Sequence, residues 1–188
     1  MKNKKLLLGI AWAWLTCLSA NAEVKLPAFF SDGMVMQQQT RANLWGTATP
    51  NAPVKITTSW DKQTYKTIAD AKGAWKLALS TPSAGGPYTI TFDDGKLTEI
   101  RDILMGELWL CSGQSNMEMP MKGFKNQPVE NSNTDVMNSR NPQLRLFTVK
   151  RSSSFTPKTD VVGTWQEAVP ATVREFSATA YYFGRMIQ

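Results

Sequence analysis

From residue 24 to about residue 100 the chain alternates short β-prone runs with clusters of turn residues. The runs cover 42–45, 54–59, 63–68, 74–79, 88–92 and 97–101. Between them stand turn clusters such as Ser31-Asp32-Gly33, Asp70-Ala71-Lys72-Gly73, Ser83-Ala84-Gly85-Gly86-Pro87 and Asp93-Asp94-Gly95. Val54-Lys55-Ile56-Thr57 and Tyr88-Thr89-Ile90-Thr91-Phe92 alternate apolar with polar side chains, the period of a half-buried strand. This spacing predicts a small antiparallel β sandwich or barrel over 23–100. Roughly 80 residues can hold a modest core of their own.

After residue 100 the pattern changes. Residues 103–111 are almost wholly apolar, which predicts a strand covered on both faces in a parallel sheet. Residues 122–141 are rich in Asn, Gln and Ser and predict a long loop with at most a short helix over 135–139. A second strand is expected over 143–149, a basic, serine-rich connection over 150–158 and an irregular stretch over 161–169. Phe176, Ala180, Phe183 and Ile187 recur at helical spacing, so 176–188 is expected to be an amphipathic helix. The expected order over 101–188 is the start of an α/β doubly wound, flavodoxin-like domain. A doubly wound sheet needs more strands than these two, so the domain is expected to be truncated here.

The first 22 residues change the picture of charge. Lys2, Lys4 and Lys5 precede an apolar stretch over 6–18, and Ala20-Asn21-Ala22 is a small-x-small cleavage site, the pattern of a secretory signal peptide. The apolar stretch is shorter than the ~20 residues of a spanning helix, so no membrane span is expected after cleavage. The mature chain is expected in the periplasm or outside the cell. The formal charge is +6, from 21 basic and 15 acidic residues; without the three leader lysines, 18 basic residues face 15 acidic ones, a net +3. No basic cluster with interleaved aromatics remains, which argues against nucleic acid as a partner. Cleavage also removes Cys17 and leaves Cys111 alone, so no intrachain disulfide forms. With no histidine and one mature cysteine, a transition-metal site lacks its usual ligands; no metal or cofactor is expected.

Candidate chemistry concentrates in Cys111-Ser112-Gly113-Gln114-Ser115-Asn116-Met117, directly after the apolar run. A serine between small and amide residues at a strand-to-helix turn can attack a carbonyl while the amides of the starting helix hold the oxyanion. Met117 stands where a Gly-x-Ser-x-Gly elbow would have its second glycine. Taken alone, Ser115 reads first as a helix cap and only second as a nucleophile. Gln114 and Asn116 either orient substrate or tie the turn together, and Glu118 is expected to favour the helix start electrostatically.

The match extends beyond the turn. Gly106-Glu107-Leu108-Trp109-Leu110-Cys111-Ser112-Gly113-Gln114-Ser115-Asn116-Met117-Glu118 resembles the first sequence block of carbohydrate acetylesterases in the SGNH hydrolase superfamily, with the nearest likeness to sialate O-acetylesterases. Residues 26–37 resemble that family's opening segment, 84–88 its small β domain, and 144–147 and 176–185 the strand and helix that follow the nucleophile. The resemblance implies an SGNH fold for 101–188, Ser115 as nucleophile and its own backbone N–H as one oxyanion donor. It also implies a late Asp and His and further oxyanion donors, none of which is present in this sequence. The partner it implies is an O-acetylated carbohydrate, a sialic acid or another glycan. An acetylxylan esterase is the near alternative, since that group shares the Gly-Gln-Ser-Asn-Met turn. A glycan-binding β module with a non-catalytic hydrolase-like part is the other.

The remaining residues carry simpler expectations. Trp45 and Trp75 are expected in the β core, Trp109 and Cys111 inside the buried run, and Met117, Met119 and Met121 as filling around the turn. Trp60 and Trp165 are left open. Asp102 and Asp135 have no spacing that suggests a base for Ser115.

Overall fold

A computed structural model describes residues 23–188. The signal-peptide expectation for 1–22 lies outside the described residues. Seven strands come first: β1 (Val35–Gln37), β2 (Arg41–Thr47), β3 (Pro53–Thr58), β4 (Thr64–Ile68), β5 (Ala74–Ser80), β6 (Gly85–Asp93) and β7 (Leu97–Gly106). They form a five-stranded sheet in the order β1-β7-β6-β3-β4 and a separate β2-β5 pair, antiparallel throughout except that β1 runs parallel to β7. The curled sheet and the pair close on one core. Val54, Ile56 and Thr58 of β3 point inward while Pro53, Lys55 and Thr57 face water, as the alternation requires. Ile90 and Phe92 from β6, Leu44 from β2 and Leu79 from β5 meet them, each fully buried.

Turn chemistry fixes the hairpins. Asp70 Oδ1 accepts from the backbone N–H groups of Lys72 and Ala74, each at 2.8 Å. Gly73 follows at φ +83°, where a Cβ would lie 2.5 Å from the Ala48 carbonyl oxygen, so only glycine fits the turn before β5.

The second part comprises α1 (Ser115–Glu118), α2 (Ser132–Met137), β8 (Asn141–Phe147), β9 (Trp165–Ala168), α3 (Pro170–Glu175) and α4 (Ala178–Ile187). β8 and β9 pair antiparallel and lie between two cores. Phe147 and Trp165, opposite each other in register, turn to Phe29 and the β core. Leu146 and Ala168 instead join Met121, Val173, Ala178 and Tyr181 in a smaller cluster.

Arg145 ties the two parts together. Its guanidinium, 5% exposed, donates to both carboxylate oxygens of Asp102 on β7, at 2.5 and 3.1 Å, and to the Gly33 carbonyl at 3.4 Å. Asp102 itself sits at φ +56°, a left-handed conformation that Asp tolerates better than most residues.

Several expectations are corrected. Residues 107–111 form no strand: the ladder ends where Gly106 pairs with Gln37, and no described strand lies beside the segment. Leu110 is 90% exposed, and Cys111 is half-buried rather than in the core. Trp109 is also largely exposed, its ring edge-on to Phe183 at 5.1 Å. The stretch 161–169 contains β9, whose four residues are held by β8 and not by any local period. Gly85-Gly86-Pro87, read as turn, begins β6, with a register shift before Tyr88. α4 buries Ala178, Ala180 and Tyr181 while Phe183 and Ile187 stay partly exposed. Trp165 is core and donates Nε1–H to the Phe29 carbonyl at 2.8 Å. Trp60 donates to the Ser80 carbonyl at 3.1 Å and packs edge-on against Tyr88. Among the described residues no helix is long and apolar enough to cross a membrane.

Candidate active site

The serine turn is anchored at both ends. At its entry, Gln37 and Gln38 donate their side-chain amides to the Glu107 carboxylate, at 2.9 and 2.8 Å. Those two bonds hold the Glu107 carboxyl below its usual range, Gln37 contributing most. The Gln37 side-chain oxygen also accepts from the Leu108 N–H at 2.9 Å. At the exit, α1 packs on the start of α4. Thr179 Oγ1 donates to the Asn116 carbonyl at 3.1 Å, and the Ala178 N–H to the Met119 carbonyl at 2.8 Å. Ser177 caps α4 by accepting from the Ala180 N–H. Met121, fully buried, fixes the chain just after the turn.

Ser115 is the first residue of the one-turn helix α1, after an extended Gln114 at φ −111° and ψ −150°. The amides of Met117, Glu118 and Met119 close the turn onto the Gln114 and Ser115 carbonyls at 3.0 to 3.2 Å. That leaves the N–H groups of Ser115 and Asn116 without an intrahelical partner, as at any helix start. Gln114, Ser115 and Asn116 are all exposed, and no side-chain bond caps α1. Ser115 is therefore not spent on the helix: it lies one position past the cap. Gln114 does not tie the turn through its side chain, and Asn116 contributes its carbonyl.

The turn opens on a cleft of about 1160 Å³. Leu108, Leu144, Leu146, Phe147 and Phe183 make an apolar wall; Ser112, Gln114, Ser115, Glu118, Lys150 and Arg151 make a polar lip. Glu118 ends α1 and pairs with Arg151 (Nη2 to Oε2, 2.5 Å), 33 residues later. No local pattern announces that pairing. Composition flagged the basic connection after β8 without showing that it folds back beside the serine.

The carboxylates weighed as bases are engaged elsewhere. Asp102 holds Arg145. Asp135 accepts from Arg185 and from the Tyr182 hydroxyl, both at 2.7 Å, and Arg185 first, then Tyr182, depress its pKa. Burial, and then Asp135, push Tyr182 up to about 12. This cluster clamps α2 to α4, the helix against which α1 and its serine turn pack. Among the described residues no group of three or more His, Cys, Asp or Glu could hold a metal ion.

No protein-family model matches the chain. A sialate O-acetylesterase of Pongo abelii is 28% identical over 185 residues, covering 89% of this chain and 35% of the relative. One from Rattus norvegicus is 28% identical over 181 residues, covering 87% of this chain and 33% of that protein. Among solved structures, a carbohydrate acetylesterase from Xanthomonas citri superposes with a TM-score of 0.81 at 34% identity, over 88% of this chain and 37% of the other. The chain spans about a third of the length of the curated relatives it matches.

Proposed function

We infer that this chain, homologous to the sialate O-acetylesterase and carbohydrate acetylesterase family of SGNH-like esterases and sharing their fold, supplies the nucleophile of a carbohydrate O-acetylesterase. The observation that carries the reading is the placement of Ser115: exposed, uncapped, at a helix start with free amides, on the lip of a large cleft.

In the proposed reaction the Ser115 hydroxyl oxygen bonds to the acetyl carbonyl carbon and its proton passes to a base. The carbonyl oxygen becomes an oxyanion held by the Ser115 N–H. Collapse breaks the ester bond, and the sugar oxygen leaves with the proton from the base. Water then attacks the acetyl-serine, acetate departs and the hydroxyl is restored. With no histidine in this sequence, the base and its aspartate are proposed to lie in the part of such esterases that this chain does not span. Gln114 and Asn116, exposed beside Ser115, are proposed to orient substrate or complete the oxyanion contacts. Residues 23–100 are proposed as the supporting β domain and 101–188 as the start of the hydrolase domain; β7 runs across that boundary to Gly106. The leader pattern of residues 1–22 supports a periplasmic or extracellular location.

The substrate is proposed to be O-acetylated sialic acid, because the curated relatives are sialate O-acetylesterases. The Xanthomonas citri protein is described more broadly as a carbohydrate acetylesterase, which keeps acetylated xylan as a second reading. Competition between the two substrates for the full-length enzyme separates them. Sialate specificity predicts a kcat/KM at least about tenfold higher for the acetylated sialic acid, the scale of one well-used contact. Equal or reversed preference favours the xylan reading, and turnover of neither favours a glycan-binding role.

A further inference from the structure

The charges around the cleft are unevenly spent. Glu107 is held by two glutamine amides, Arg145 by Asp102, and Glu175 by Lys122. What remains at the lip is the Arg151–Glu118 pair with Lys150 beside it, while Glu107, held only by neutral amides, keeps its negative charge at the entry of the turn. Lys150 forms no ion pair among the described residues, and its backbone N–H is fixed to the Val162 carbonyl at 2.7 Å. The Arg151 and Glu118 side chains are 82% and 52% exposed, so their pair is a weak one that a competing carboxylate can displace. Glu118 lies three residues after Ser115 on one helical turn, where neighbouring side chains start about 5–6 Å apart. The guanidinium is thus held within one side chain's reach of the nucleophile.

We propose that Arg151 is a specificity-determining residue, receiving the carboxylate of an acidic acetylated sugar, with Glu118 occupying that position in the free enzyme. The inference rests on the reading of Ser115 as nucleophile and deepens it. A guanidinium presents a planar fork that matches a carboxylate with two parallel bonds, which a neutral sugar cannot make. A sugar acid exchanges the Arg151–Glu118 bond for its own and sets its ester near Ser115; Lys150 adds attraction without contact geometry.

The test uses the full-length enzyme and two substrates, an O-acetylated sialic acid and the same compound with its carboxyl group methylated. Arg151→Ala is expected to lower the acid-to-methyl-ester ratio of kcat/KM about threefold to fivefold, mainly through KM, the upper scale of an exposed ion pair. Arg151→Lys is expected to restore part of the ratio, and Glu118→Gln, which removes the competitor, to raise it. An unchanged ratio in Arg151→Ala, with both substrates still requiring Ser115, overturns this inference and leaves the nucleophile standing. Hydrolysis that persists in Ser115→Ala overturns both.

Discussion

Replacing Ser115 with alanine in the full-length enzyme is expected to lower acetyl-ester hydrolysis by at least about a thousandfold, with the fold intact. Removing a nucleophile that works with a base costs nearly the whole benefit of the group, because the remaining members have nothing to activate. The structure makes this a clean substitution. The Ser115 side chain is exposed and caps nothing, so its loss leaves α1 and its contacts with α4 in place. The same logic predicts that residues 23–188 alone turn over p-nitrophenyl acetate close to the buffer rate. A serine hydroxyl without a positioned base is a poor nucleophile near neutral pH, and Asp102 and Asp135 are both committed to arginines. Brisk turnover by 23–188 that disappears in Ser115→Ala would show that this chain carries its own base.

The largest effect on stability is expected at Asp102. Asp102→Ala leaves the Arg145 guanidinium, 5% exposed, with the Gly33 and Pro142 carbonyls and a Glu167 oxygen 3.6 Å away. Breaking a buried pair from one side costs about 3–5 kcal/mol when both charges are dry. The Asp102 side chain is 45% exposed, which lowers the expectation to about 2–3 kcal/mol. Alanine also tolerates the left-handed backbone at this position less well. Adding Arg145→Met to Asp102→Ala is expected to recover part of the loss, since no unpaired charge then remains. Denaturant unfolding of the purified protein reads both variants. A single variant within about 0.5 kcal/mol of the parent, the scale of an ordinary surface change, would show that the pair does not hold the two parts together.

What the sequence made legible follows the range of each signal. β3 was readable because Val54 and Ile56 alternate with Lys55 and Thr57 inside four residues. The Asp70–Gly73 turn was readable because Asp and Gly each do something local there. β1 is three residues long and is defined by parallel pairing with β7, about 70 positions away, so nothing nearby marked it. β9 and the burial of Trp165 depend in the same way on β8 and Phe29. The apolar run after β7 misled because hydrophobicity states that a segment prefers cover, not that cover is at hand; Leu110 lies open. At the site, the serine and its flanking amides were visible as a motif. The Arg151–Glu118 pair was not, since only the folded chain brings residues 33 apart to one lip.

The central claim is that Ser115 is the group that takes the acetyl carbon. It is tested most directly by treating the full-length enzyme with a fluorophosphonate, following loss of esterase activity, and sequencing the modified peptide by mass spectrometry. The account predicts one adduct per active chain, on Ser115, formed in step with inactivation. Inactivation with the adduct on another residue, or full activity surviving a modified Ser115, would contradict it.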